Sequence, residues 1–128
     1  MVDAQYIRKL YERYPEMVTK GDVDGIVALY ADDATIEDPI GAPLHRGRDA
    51  IRKFYQAAAG TVTMKRVGPV HVAGREAATP LLVLIGPEGK KQALDIISVM
   101  AFGEDGKILS MRAFWSFDAM RPATPADL

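Results

Sequence analysis

Hydrophobic periodicity in this chain is mostly helical before Gly60 and strictly alternating after it, and that order constrains the fold more than any other feature. Ile7, Leu10, Tyr11, Tyr14, Met17 and Val18 recur at helical spacing. They define one face of a first helix, running from an Asp3 cap to about Lys20. Pro15 lacks an N–H and is expected to kink this helix or end it early. Gly21 stops it. Asp22 then caps a second helix with Val23, Ile26, Val27 and Tyr30 on its inner face. A third helix is expected from about Asp49 to Ala59, with Ile51, Phe54, Tyr55 and Ala58 inward.

One short strand interrupts the helices, and it carries the most unusual group. In the stretch Tyr30 to Gly41, residues two apart share a face once the chain is extended, so Ala34, Ile36 and Asp38 point one way and Thr35 and Glu37 the other. Pro39 and Gly41 then break the strand, and residues 39–48 read as a loop. Asp32 and Asp33 are ordinary turn residues. Asp38 is not, because a carboxylate on a core-facing side must be paired, protonated or functional. It is the first candidate for a catalytic group.

The second half reads as strands. Residues 61–72 form one or two strands broken near Gly68 and Pro69. Ala77 to Ile85 is a strand whose Pro80 suggests an edge position or a bulge at its start. Lys91 to Phe102 and Lys107 to Phe117 follow, separated by the turns Gly86–Gly89 and Gly103–Gly106. Short turns between consecutive strands give an antiparallel meander. Helices followed by strands imply an α+β fold, the helices packed on one face of the sheet. With 128 residues, one domain spanning 1–128 is expected, and Pro122, Pro125 and small neighbours suggest a loose tail over 118–128.

Composition removes several classes. The 16 basic and 17 acidic residues leave no basic excess for nucleic acid or an anionic membrane. No apolar run is long enough to span a bilayer. Asp3, Arg8, Lys9 and Glu12 interrupt any secretory signal, so a soluble cytoplasmic protein is expected. There is no cysteine, which excludes disulfides and thiol catalysis. His45 and His71 are the only histidines, without zinc-site spacing, so no metal is expected. Phosphate-binding glycine motifs and a GxSxG elbow are absent, which disfavours nucleotide cofactors and serine hydrolysis.

Several polar groups face inward with Asp38. Each of the three expected helices places a tyrosine on its apolar face, and three of these, Tyr14, Tyr30 and Tyr55, could converge on one pocket. A buried phenol seeks a hydrogen-bond partner, although such a tyrosine is also ordinary core. Ser98 shares a face with Leu94, Ile96, Met100 and Phe102. Its hydroxyl either bonds nearby backbone or donates to a ligand. Asp95 points to the opposite face, where an arginine or an interface would account for it. Trp115 shares a face with Leu109, Met111, Ala113 and Phe117, and its indole N–H can reach a carboxylate. A carboxylate, hydroxyls and an apolar pocket suit proton abstraction beside a carbonyl, with the hydroxyls holding the enolate oxygen. No cofactor is needed for this.

The segments Tyr30–Gly41, Gly47–Arg48 with Phe54–Tyr55, Ala93–Met100 and Ala113–Ser116 together resemble bacterial Δ5-3-ketosteroid isomerase, within the superfamily that includes nuclear transport factor 2. The likeness spans roughly Tyr11 to Ser116. It implies a cystatin-like cone of three N-terminal helices on a curved, mostly antiparallel sheet, a deep apolar cavity and a homodimer. It implies that Asp38 carries a proton from C4 to C6 of a 3-oxo-Δ5-steroid. Tyr14 would be the main oxyanion donor, supported through Tyr30 and Tyr55, with Trp115 near Asp38. Phe54, Leu81, Met100 and Met111 are the expected pocket residues. Ser98 stands where that family usually has a second donor, an aspartic acid, and Pro15 after Tyr14 is also outside its pattern.

Other activities of the same fold make different demands. A dehydratase would need an inward His–Asp pair, and a limonene-type epoxide hydrolase an inward Asp-Arg-Asp set, for which Arg112 would have to face the interior. A polyketide cyclase and a non-catalytic binding module complete the alternatives. In the last, replacing Asp38 would change stability and no turnover.

Overall fold

The computed structural model describes residues 2–128. Helix α1 spans Ala4–Lys20, and Asp3 caps it by accepting from the Tyr6 N–H at 2.9 Å. It runs on through Pro15, contrary to the expected break. Its buried face, which includes Tyr11, Tyr14, Pro15 and Val18, seats it on the sheet on both sides of the proline. Burying each large side chain is worth about 1.5–3 kcal/mol, enough together to offset one lost helical hydrogen bond. Gly21 ends the helix at φ 71°, a left-handed conformation that suits glycine.

Helix α2 is only Val23–Val27. Tyr30, expected on its inner face, instead opens strand β1, Tyr30–Glu37. The reason is pairing: β1 runs parallel to the late strand β7 (Ile108–Phe114), with Tyr30 opposite Ile108, and the Ile108 N–H donates to the Leu29 carbonyl at 2.8 Å. Ala34 and Ile36 are buried as the alternation requires, and Asp38 follows just past the strand end. The segment expected as loop contains a two-residue strand, β2 (His45–Arg46), paired antiparallel with β1. Helix α3 spans Arg48–Ala58 and buries Ile51 and Tyr55.

The second half is the expected meander. Strands β3 (Val62–Arg66) and β4 (His71–Ala73) both pair antiparallel with β5 (Glu76–Ile85). Next come β6 (Gln92–Phe102) and β7 (Ile108–Phe114), giving the order β2-β1-β7-β6-β5-β3. The sheet is therefore mostly antiparallel, with β1–β7 the parallel exception. It is curved and does not close. The core lies between its concave face and the helices.

Pro80 sits in the middle of β5, which lies inside the sheet and not at its edge. β3 ends opposite Leu81 and β4 begins opposite Ala78, which leaves a seam at Pro80. Its carbonyl faces that seam and accepts from the Val67 N–H at 3.1 Å. A residue's N–H and C=O point the same way in a strand, so the missing donor costs no ladder bond here.

The tail is not loose. Strand β8 (Arg121–Pro122) pairs with the start of β6. Asp127 is buried and accepts from Arg121 at 2.7 and 3.1 Å and from the Thr124 N–H at 2.7 Å. The Arg121 guanidinium, then the Thr124 N–H, hold the Asp127 carboxyl well below the usual carboxylate range. Arg121 also lies 3.5 Å from Asp95, which accounts for that outward carboxylate.

Candidate active site

Asp38 is delivered by β1. The strand's inward face places it at the rim of the core, and Pro39 turns the chain away. Its carboxylate is partly buried. The Trp115 indole N–H, one residue past β7, donates to Asp38 Oδ1 at 2.5 Å. Burial raises the Asp38 pKa, and the Trp115 bond and the nearby His45 act against that rise. Burial thus makes the group a stronger base than a solvated carboxylate, while the indole N–H favours its ionised form.

Three tyrosines converge from three elements. Tyr14 on α1, Tyr55 on α3 and Tyr30 at the start of β1 meet through their hydroxyls. Tyr14 Oη and Tyr30 Oη each lie 2.7 Å from Tyr55 Oη. Desolvation drives all three pKa values above the ordinary phenol range, so all are neutral donors near neutral pH. Three hydroxyls carry three protons, and the two contacts between them consume two. If Tyr30 donates to Tyr55 and Tyr55 to Tyr14, the Tyr14 proton is left to donate elsewhere.

Tyr14 lines a cavity of about 150 Å³ between α1, α3 and the concave sheet. Tyr14, Asp38, Phe54, Tyr55 and Trp115 all line it, so five of the residues singled out from sequence meet at one site. The rest of the wall is apolar, with Val83 and Ile85 from β5 and Leu94 and Ile96 from β6. An apolar wall lowers the local dielectric, which strengthens any charge-to-hydroxyl contact inside.

Other residues singled out from sequence stand off this wall. Tyr30 is behind Tyr55 and reaches the site only through it. Leu81, Met100 and Met111 are packed into the core beyond the lining. Ser98 is buried one alternation deeper than Ile96, and its Oγ lies 3.1 Å from the Tyr11 hydroxyl. Arg112 is exposed on the outer face, stacked over Phe114 at 5.5 Å, and does not enter the interior. The sequence reading passed over Val83, Ile85 and Tyr11. Alternation from Leu81 would have found the first two, whereas Tyr11 read as an ordinary core residue. Among the described residues no cluster of His, Cys, Asp or Glu could hold a metal ion, and no helix is long and apolar enough to cross a membrane.

Residues 11–111 match the SnoaL-like domain family. Over 110 residues, 86% of this chain and 89% of the relative, the sequence is 41% identical to a steroid Delta-isomerase of Nocardioides simplex. It is 29% identical over 131 residues to the epoxide hydrolase LasB of Streptomyces lasalocidi; that match takes in 96% of this chain but spans only 46% of LasB. Among solved structures, the epoxide hydrolase/cyclase-like enzyme SalBIII, described in pyran ring formation in the polyether salinomycin, superposes with a TM-score of 0.88. That alignment has 29% identity and covers 96% of this chain and all of SalBIII.

Proposed function

Since this chain belongs to the SnoaL-like domain family, we propose that within it the protein acts as a steroid Δ-isomerase, converting 3-oxo-Δ5-steroids to conjugated Δ4 ketones without a cofactor. The observation that carries this reading is the pairing of a base and a donor on one apolar cavity: the raised-pKa Asp38 carboxylate and the Tyr14 hydroxyl at the end of a tyrosine chain. The identity to a named steroid Delta-isomerase over most of both chains supports the same choice.

The chemistry follows from those two groups. The C4 proton lies next to the C3 carbonyl and is acidic because its removal delocalises charge onto that oxygen. Asp38 takes it, and the C4–H electrons form the dienolate. Tyr14 donates to the developing oxyanion, and Ser98, the next inward residue beyond the lining Ile96, is the second donor once the substrate oxygen reaches past that wall. Asp38 then returns the same proton to C6, and the double bonds end in conjugation with the carbonyl. Trp115 holds Asp38 in place during both transfers. The protein works in the cytoplasm as a homodimer on this reading, and the exposed apolar side chains of Ile97 and Phe114 on the outer sheet face suit such a contact.

LasB and SalBIII raise epoxide opening or cyclisation as a second reading. Water activation by an Asp-Arg-Asp set would require Arg112 inside, and Arg112 lies outside. The deciding experiment follows ultraviolet absorbance after mixing the protein with 5-androstene-3,17-dione. Growth of the conjugated enone band at a rate proportional to protein concentration supports isomerisation. No growth with this substrate or with 5(10)-estrene-3,17-dione would sink it.

A further inference from the structure

Just beyond the residues that line the cavity lies a buried group of hydroxyls carried by three separate elements. On α1, Tyr11 lies one turn before the lining residue Tyr14, and the two rings meet edge to face at 6.3 Å. On β6, Ser98 is the next inward residue after Leu94 and Ile96, both of which line the cavity. On β5, Thr79 is the inward residue two alternations beyond Val83, and it stands directly opposite Ser98. All three are essentially sealed from solvent.

Their hydroxyls are close but incompletely satisfied. Tyr11 Oη lies 3.1 Å from Ser98 Oγ and 3.4 Å from the Ser98 carbonyl oxygen. Burial pushes the Tyr11 phenol up to about 12, with the Ser98 contact opposing the rise, so it stays protonated. Among the described residues Thr79 Oγ1 has no hydrogen-bond partner. A buried hydroxyl without a partner costs free energy, and a polar substrate atom arriving beside it would recover part of that cost.

Proton counting gives Tyr11 a task. A phenol is a far better acid than an aliphatic alcohol, so the favoured direction of the contact is Tyr11 O–H to Ser98 Oγ. That leaves the serine proton unspent and polarised by the phenol behind it. We propose that Tyr11 is a positioning residue for the oxyanion end of this site: it donates to Ser98 Oγ and so frees and orients the Ser98 hydroxyl toward the substrate oxygen. This rests on the isomerase reading and on Ser98 as second donor. Two neutral hydroxyls in series then serve the oxyanion at this position.

The test is a kinetic cycle of Tyr11→Phe and Ser98→Ala, read by enone formation, with folding checked by thermal melting. Tyr11→Phe keeps the ring and its contact with Tyr14. It is expected to lower kcat about two- to tenfold, the range of one neutral hydrogen bond, and to leave KM nearly unchanged. In the Ser98→Ala background the same change should cost nothing more, because its only route to the substrate has gone. Site-specific 3-fluorotyrosine at position 11 guards against a packing effect: a more acidic phenol donates better, so kcat should rise with Ser98 present and stay flat in Ser98→Ala. Equal losses in both backgrounds, or a fluorotyrosine response independent of Ser98, would show a purely structural Tyr11 and overturn the proposal. A parent protein that isomerises no Δ5-steroid overturns the isomerase reading itself, and this proposal with it.

Discussion

The indole N–H of Trp115 donates to Asp38 Oδ1 at 2.5 Å, joining two residues 77 positions apart in sequence. This contact holds the carboxylate at the cavity rim with one oxygen occupied and the other left for substrate. It also favours the ionised form, opposing the burial that raises the pKa. Trp115→Phe keeps an aromatic wall and removes the donor. The Asp38 pKa should then rise further, and the acidic limb of kcat/KM against pH should move to higher pH. An unmoved limb would mean that the indole does not act on the titrating base.

The same desolvation has a consequence for stability. The folded-state pKa of Asp38 lies above its unfolded value. Its contribution to stability is therefore fully present below the unfolded pKa and is lost as pH rises through the folded pKa. Asp38→Asn removes the ionisation. The variant should melt higher than the parent at neutral pH, with the difference shrinking toward pH 3. A variant less stable than the parent at pH 7 would contradict a desolvated carboxylate.

The tyrosine chain makes a ranked prediction. With Tyr30 donating to Tyr55 and Tyr55 to Tyr14, Tyr14 is the member left with a proton to spend in the cavity it lines. Tyr14→Phe should lower kcat by about 10²–10³ with little change in KM, as for loss of one oxyanion donor. Tyr55→Phe interrupts the relay and should cost less. Tyr30→Phe, one step further back, should cost least. Steady-state kinetics of the three variants check this, and equal penalties would contradict the order of the chain.

The tail offers a test independent of catalysis. Arg121 joins Asp127 to Asp95 and so pins residues 121–128 beside β6. Arg121→Ala should increase amide hydrogen exchange and proteolytic cutting in this segment and leave kcat unaltered. The Asp127 pKa is depressed, so its contribution to stability is present above the unfolded carboxylate pKa and fades as pH falls through the folded one. Protection of the tail should therefore be lost only under strongly acidic conditions.

Local pattern carried much of this structure. The period-two face of β1 pointed Asp38 inward, and the 3.6-residue face of α1 and α3 did the same for Tyr14 and Tyr55. What escaped was set by long-range pairing. Two-residue strands such as β2 and β8 have too few residues to show a period. Tyr30 fits the helical face of α2, yet its pairing with β7 extends the chain first. Tyr11 and Ser98 lie 87 residues apart, so neither sequence neighbourhood announces their contact. Leu81, Met100 and Met111 share the inward face with the true wall residues, but their positions along the curved sheet place them in the packed core.

Turnover of a 3-oxo-Δ5-steroid by the parent and by Asp38→Asn, measured side by side as enone absorbance, bears most directly on the central claim. The amide is nearly isosteric with the carboxylate but cannot accept the C4 proton. The expected result is clear isomerisation by the parent and a loss of at least about 10²-fold in the variant, the low end for a positioned base, with both proteins folded by circular dichroism. A folded Asp38→Asn variant that turns over the steroid at near-parental rate would contradict the assignment of Asp38 as the base.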